Sequence, residues 1–458
     1  MSSPAIVRNE PSVRPIGREI LRLALPVLAE QMLYLCVGFF DVFLSGQISK
    51  EATAAIGLAA YVGWLASMIF GLIGTGATAI VARCWGAGQH EDARRIATHA
   101  QVLAIGLGVA VFALLQGLAP WTPMLLGMEG ETYRIAVHYL RVDAFGQFFA
   151  CWMLIGAASL RGSGDMRTPL LVLGVTNVVN ILVSTGCVYG FGPLRPMGVY
   201  GIVTGTVAAQ FCGAVLMTTA LSSRWSHLSL IRSEFRIVPA TAARILRIGG
   251  PAGLEGAVTF TGHFLFLMII ARLSPGGFDG AAFAAHIVGV RVESLSYLPA
   301  LAWGIACSSL VGQSLGARQP ERAQLVGRVA IRQIVAYAFV IGLIFGLGAP
   351  QIYAAMHSDP NVAVQGVPAF RLMASYQVPT AILIVLACCL RGAGDTRFPL
   401  LCVLIGTIGL RVPLGYLFGV VLQWGLLGAW IGMGVDNIVR AGLLWWRYRS
   451  GRWVRTSV

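Results

Sequence analysis

"RGSGDMRTPLL" at residues 161–171 returns as "RGAGDTRFPLL" at 391–401, with eight of eleven positions identical at an offset of 230 in a chain of 458 residues. A polar segment written twice, half a chain apart, predicts an internal duplication. Other pairs keep nearly the same offset. Pro26 with Glu30 returns as Pro251 with Glu255, and "GAGQHEDA" (86–93) as "GARQPERA" (316–323). Gly198, Gly201 and Gly205 return as Gly425, Gly428 and Gly432, and Arg141 as Arg371. The offset stays between 225 and 230, so the two copies fill almost the whole chain.

The material between these motifs is apolar. The chain is 57% hydrophobic and 11% charged, with a mean hydropathy of +0.75, whereas a soluble domain carries about a quarter charged residues. Apolar runs fall at roughly 20–45, 55–83, 95–118, 132–158, 168–191, 197–221, 246–272, 282–312, 327–348, 367–390, 399–422 and 425–447. Each reaches the ~20 residues that a helix needs to cross the hydrocarbon core, and the longer ones imply tilt or extension into water. The runs are continuous rather than alternating, which excludes a transmembrane β-barrel. The sequence therefore predicts an all-α polytopic membrane protein of twelve transmembrane helices in two six-helix lobes. Residues 1–19 read as a cytoplasmic amino tail, 20–221 as the first lobe, 222–243 as a cytoplasmic linker, 244–447 as the second lobe and 448–458 as a cytoplasmic tail. The first run is too long for a signal-peptide core and no small-residue cleavage site follows it, so it reads as a signal-anchor span. Nine cysteines mostly inside apolar runs, with no metal-ligand spacing, read as small buried side chains.

The net charge of +14 and the pI of about 9.8 come almost wholly from arginine, Lys50 being the one lysine. These arginines flank membrane spans rather than form a nucleic-acid surface. Arg8, Arg14 and Arg18 precede span 1; Arg83, Arg94 and Arg95 follow span 2; Arg161 and Arg167 follow span 4. Arg224, Arg232, Arg236 and Arg244 follow span 6, Arg318 and Arg322 span 8, and Arg391 and Arg397 span 10. Arg447, Arg449, Arg452 and Arg455 close the chain, while the opposite loops carry Lys50, Arg134, Arg195 and Arg272. Positive residues mark the cytoplasmic side, which predicts a multi-pass protein of the inner (plasma) membrane with both termini in the cytoplasm. Six is even, so both lobes cross in the same sense, with a pseudo-two-fold axis along the membrane normal. The space between two such lobes suits a substrate path.

A charge within a span is a functional hypothesis by default, and the duplication filters these charges. Glu30 and Glu255 occur in both lobes, each four residues after a proline, and so read as structural groups that cap or pair with nearby arginine. Asp41, in "GFFDVFLSG", has Phe266 as its counterpart. Burial among aromatics disfavours a carboxylate's charge, which suits binding and release of a proton, or holding a small cation. Asn177, Asn180 and Ser184 in span 5 and Thr206 in span 6 add amide and hydroxyl oxygens, and bear equally a reading as interhelical hydrogen bonds. Asp143 is a second-rank candidate. Asp436 and Arg440 form an i,i+4 pair, and Arg411 is expected to pair with Glu293; with Arg291 these are read as structural polar groups. Tyr34, Phe39, Tyr61, Trp64, Phe149, Met153, Phe260 and Phe264 are candidates for a cavity that takes flat, greasy or cationic molecules.

Together these features resemble the multidrug and toxic compound extrusion (MATE) family of antiporters over nearly the whole chain. The resemblance is carried by "LALPVLAEQ…VGFFDVFLSGQI", "VARCWGAGQ" with "LVGQSLGA", and "RGSGDMRTP" with "RGAGDTRFP". It implies twelve helices in two bundles, alternating access, and export of drugs or metabolites in exchange for H⁺ or Na⁺. Carried over residue by residue, it implies an amino-lobe cation site of Asp41, Asn180 and Thr206. Ser184 stands where many relatives have a second aspartate, which favours H⁺ over Na⁺ at Asp41. Phe260 stands where the NorM-like branch has a carboxylate, and span 10 has no acidic residue. The chain thus resembles the DinF-like bacterial branch more closely, without a carboxyl-lobe cation site.

The expected partners are a small organic substrate and the lipid bilayer, with no nucleic acid, no cofactor and no bound metal beyond the coupling ion; a monomer is expected. A flippase or exporter of a lipid-linked or metabolite substrate is the alternative, though extra helices and a more basic cavity are not seen. An integral-membrane enzyme is disfavoured because His227 and His357 stand isolated, and a channel because a two-lobed repeat suits alternating access.

Overall fold

The computed structural model describes residues 13–190, 196–223, 228–273, 277 and 280–456. Arg8, Arg195, Arg224 and His227, read above as tail and loop groups, lie outside the described residues. Among the described residues the chain is helical throughout. The first half comprises α1 (Val13–Gly46), α2 (Lys50–Gly86), α3 (His90–Leu118), α4 (Gly130–Gly162), α5 (Arg167–Tyr189) and α6 (Val199–Ser222). The second half comprises α7 (Pro239–Ala271), α8 (Ala281–Gly316), α9 (Pro320–Met356), α10 (Pro360–Ser375 and Gln377–Gly392), α11 (Arg397–Val421) and α12 (Gly425–Arg449). Ten of these are single helices long and apolar enough to cross a membrane, and the two parts of α10 make an eleventh. The twelfth, α12, has the length, but Asp436, Asn437 and Arg440 in its middle lower its hydropathy.

Helix breaks have local causes. The two parts of α10 meet at 54° around Tyr376. Pro379 follows, and its ring clashes with the carbonyl four residues back, that of Ser375. The counterpart in α4 is Phe149, and α4 runs unbroken. In α11 the stretches Leu404–Arg411 and Leu417–Val421 widen into π-helix, whereas α5 is regular.

The repeated motif is the turn between α4 and α5, and again between α10 and α11. Gly164 and Gly394 both have positive φ, 90° and 88°, which glycine adopts without steric cost. Asp165 caps α5 by accepting from the amides of Arg167 and Thr168 and from the Thr168 hydroxyl. Asp395 instead accepts from Arg447 Nε at 2.8 Å, which ties the second turn to α12.

The lobes are related by contacts that repeat at the sequence offset. Helix α2 packs on α7 and α8, and α1 on α8. Where α2 and α8 end, Gly86 lies against the carbonyl of Gln313, and Gly316 against the carbonyl of Arg83. Gln313 Nε2 donates to the Gly162 carbonyl at 2.9 Å, while an Arg83 Nη donates to the Ala393 carbonyl at 3.1 Å. The glycine contacts are counterparts at the 230 offset, and the two hydrogen bonds differ by one residue in their acceptor, as a pseudo-two-fold relation allows.

The helix starts are exchanged. Ile16 and Ile20 of α1 are buried in the core of the second lobe, and Ile245 and Ile248 of α7 in the core of the first. Helix α1 therefore starts at Val13, inside the stretch read as tail, because its first turns are packed rather than solvated; Glu19 pairs with Arg322 of α9, and Gln333 donates to the Gly17 carbonyl. Likewise α7 starts at Pro239, inside the stretch read as linker. In the stretch read as a carboxyl tail, Trp453 is fully buried against Tyr448 and Val454 packs on the same core, while Arg452 and Arg455 are exposed.

The junction is close enough that a Cβ on Gly249 of α7 would overlap the Leu72 carbonyl of α2. Gly249→Val should hold the lobes apart at this end. Overpacking of this kind costs about 1–3 kcal/mol. The expected result is normal membrane abundance with transport reduced, and an unchanged transport rate would contradict this account of the junction.

Candidate functional site

Asp41 sits on α1 inside the first lobe and makes no hydrogen bond or ion pair among the described residues; its Oδ1 is buried without a partner. Asp143 of α4 lies within electrostatic reach of Asp41, and both carboxylates act on Tyr139. Asp143 is held by Gln147, one turn on, at 3.0 Å. Asn180 of α5 donates to the Thr206 hydroxyl of α6 at 3.2 Å, and Thr206 in turn donates to the Ile202 carbonyl. The carbonyl oxygens of Asn180 and of Gln210, one turn beyond Thr206, are buried with no donor. The lobe interior thus offers acceptor oxygens from α1, α5 and α6 without matching hydrogens. A buried, unsatisfied acceptor is costly, and that cost is relieved by a proton or a cation.

Two of the polar candidates serve packing. Asn177 donates to the Leu33 carbonyl at 3.0 Å, which joins α5 to α1. Ser184 is fully buried against the backbone of α6, where Gly205 leaves no room for a Cβ and the Ser184 hydroxyl points to the Ile202 carbonyl. Gln210, Gln147 and Tyr139 were not singled out from the sequence. Gln210 has the polar residue Asn437 as its counterpart, so a search for polar residues unique to one lobe passes over it.

Among the aromatic candidates, Trp64 of α2 meets Phe260 of α7 at 5.2 Å and His263 at 6.2 Å across the lobe boundary. Phe39 of α1 lies under the guanidinium of Arg291 of α8, at 5.8 Å, also across the boundary. Tyr34, Tyr61 and Phe264 are exposed. Met153 is buried against Gly213, and Phe149 packs on the first lobe's core and on Phe211. Those two are packing residues of the lobe, because α4 presents them to α6 rather than to the other lobe.

The second lobe has no carboxylate at the place of Asp41, although the Thr407 and Tyr376 hydroxyls of that lobe are also buried without a partner among the described residues. Phe266, in place of Asp41, is buried against His286, whose Nδ1 accepts from Trp430 Nε1 at 3.1 Å. The charges lie elsewhere. Asp436 is fully buried between Arg440, at 2.5 Å, and Arg411, whose Nε stands 2.8 Å from Oδ2 at an angle too oblique for a hydrogen bond. Both arginines also donate to Asn437, and Arg411 reaches His263 at 3.3 Å. The expected Arg411–Glu293 pair is not formed among the described residues: Arg411 turns to Asp436 on α12, which is closer and already fixed by Arg440. Glu30 and Glu255 behave as duplicated groups should. Glu30 pairs with Arg161 at 2.5 Å and Glu255 with Arg391 at 2.9 Å, so the first arginine of each repeated motif neutralises the buried glutamate of its own lobe.

The MatE family model matches residues 26–185 and again 251–417, one copy in each lobe. The chain belongs to the MatE family. Similar curated proteins are the "Probable multidrug resistance protein NorM" of Thermotoga maritima, 31% identical over 97% of this chain and 95% of its own length, and the protein of the same name from Burkholderia pseudomallei, 28% identical over 96% and 93%. The "Uncharacterized transporter YisQ" of Bacillus subtilis is 22% identical over 96% and 95%. Among solved structures, an "Outward-facing conformation of a multidrug resistance MATE family transporter of the MOP superfamily" superposes with a TM-score of 0.87 at 23% identity, covering 96% of this chain and 97% of that one. A MOP superfamily transporter from Pyrococcus furiosus gives the same score, identity and coverage. The MatE protein described here is thus a multi-pass membrane transporter of two six-helix lobes, not an enzyme.

Proposed function

We propose that this transporter exports amphipathic or cationic organic compounds from the cytoplasm in exchange for protons, by alternating access between its two lobes. The names of its curated relatives support the multidrug reading. The observation that carries the coupling is the asymmetry between the lobes: an unpartnered buried carboxylate oxygen at Asp41 in the first, and Phe266 beside His286 and Trp430 in the equivalent place of the second. Asp41 is the proton carrier, with Asn180, Thr206, Asp143 and Gln210 as its polar surroundings. A proton needs one carboxylate, whereas Na⁺ takes a shell of several oxygens at fixed distance, and Ser184 is turned away from that role. Trp64, Phe260 and Phe39 line the path between the lobes. The placement nearer the DinF-like branch rests on Phe260 and on the lack of an acidic residue in span 10, while the matched relatives carry the NorM name.

The arginine distribution supports cytoplasmic termini in the inner membrane; the lobe junction then closes the cytoplasmic end. Opening it requires α1 and α7 to flex between their exchanged first turns and their outer parts, and Pro26 and Pro251 lie at that point. A monomer contains both lobes and the whole path. The test is efflux of a fluorescent cation such as ethidium from vesicles under separate H⁺ and Na⁺ gradients. Transport should follow the H⁺ gradient, and transport driven by Na⁺ alone would overturn the ion assignment.

A further inference from the structure

A cavity of about 340 Å³ lies at the junction end of the protein, between α1, the α4–α5 turn and the end of α8. Its polar lining is Glu19 and Arg22 of α1, Asp165 and Arg167 of the turn, and Gln313 of α8. The two carboxylates are already committed. Glu19 accepts two hydrogen bonds from Arg322, at 2.8 and 2.9 Å, and Asp165 caps α5. Gln313 donates to Gly162. The guanidiniums of Arg22 and Arg167 have no protein partner among the described residues, and both side chains are exposed. The cavity is therefore positive in effect, with two planar donors free. Apolar Leu23, Pro26 and Leu310 complete the wall.

The two arginines stand on different moving parts. Arg22 lies on the stretch of α1 anchored in the second lobe, between Ile20 and Pro26, whereas Arg167 belongs to the first lobe's turn. At the pseudo-equivalent place, Arg83 replaces Gln313 and its guanidinium holds the Thr456 carbonyl of the carboxyl tail at 2.9 Å. One crevice is thus occupied by the chain itself, and the other offers free donors.

We propose that the crevice at Arg22 and Arg167 binds a phosphate group, one anion bridging the two guanidiniums. Arginine's fork matches phosphate oxygens in paired hydrogen bonds. At a membrane surface the phosphate comes from an anionic lipid headgroup or from a free phosphate in solution, and the apolar wall gives a glyceride a place to lie. By joining α1 to the turn, the bound phosphate steadies the closed junction.

The experiment compares purified, delipidated transporter with the Arg22→Gln, Arg167→Gln double variant. Retention of phosphatidylglycerol is read by native mass spectrometry, against phosphatidylcholine and against titrated inorganic phosphate. Both arginines are exposed and unpaired, so the variant should fold; Arg22→Lys, Arg167→Lys checks this by restoring binding in part. At about 1 kcal/mol per basic residue near such a surface, the double variant should bind phosphatidylglycerol roughly thirtyfold more weakly. Retention of phosphatidylglycerol but not phosphatidylcholine, lost in the variant, supports the lipid source. Binding of inorganic phosphate with equal displacement of the lipid supports the free ion at the same site. Equal binding by the variant and the wild type overturns the proposal, as does equal loss in Arg247→Gln, Arg397→Gln at the pseudo-equivalent place.

Discussion

Asp41→Asn should abolish proton-driven efflux while leaving the protein inserted and folded. The substitution keeps the size of the side chain and one carbonyl oxygen, and removes the group that takes up and releases a proton. Asp41 is bound by no donor among the described residues, so an isosteric amide there breaks no hydrogen bond. The effect should therefore fall on transport alone, measured as efflux from vesicles with abundance checked on the same preparation. Asp143 does not replace it, because it is held by Gln147 on its own helix. Ser184→Ala gives the contrast. Among the described residues its hydroxyl donates to the Ile202 carbonyl alone, at 3.4 Å, so most of the activity should remain. Retention of normal efflux by Asp41→Asn would remove the assigned carrier.

Asp436→Asn should have the largest effect on stability. The carboxylate is fully buried and balances two arginines, Arg411 on α11 and Arg440 on α12. Its neutral replacement leaves both cations in a low-dielectric interior. Removing one partner of a buried pair costs about 3–5 kcal/mol, because the remaining charge has lost its solvation without compensation. The loss should appear as a lower midpoint of thermal unfolding in detergent. Arg440→Met should cost less, since Arg411 still faces Asp436. An unchanged midpoint for Asp436→Asn would show that the network carries no stability.

The sequence carried most of the architecture because membrane spans announce themselves by length, and the lobes by their repeat. The turn around Asp165 and the role of Glu30 and Glu255 followed from the same duplication, and Arg161 and Arg391 proved to be their partners. What the repeat did not disclose depends on which way a helix face turns. Met153 and Phe149 share the composition of cavity residues, yet α4 turns them into the lobe. Arg411 has two carboxylates of its own lobe to choose from, Glu293 and Asp436, and only the packing of α11 on α12 shows that it takes Asp436. Gln210 was hidden because its counterpart is also polar. The exchange of Ile20 and Ile245 between lobes has no signature in composition, since a buried isoleucine looks alike in either core.

Exchange of substrate for a proton carried by Asp41 requires that substrate binding be linked to deprotonation of Asp41. Proton release from the purified transporter on addition of substrate, followed with a pH indicator in weakly buffered detergent solution, measures this directly, because binding linked to deprotonation must release protons. Wild type should release protons on binding, and Asp41→Asn should bind substrate with none released. Equal release from both proteins would contradict the account.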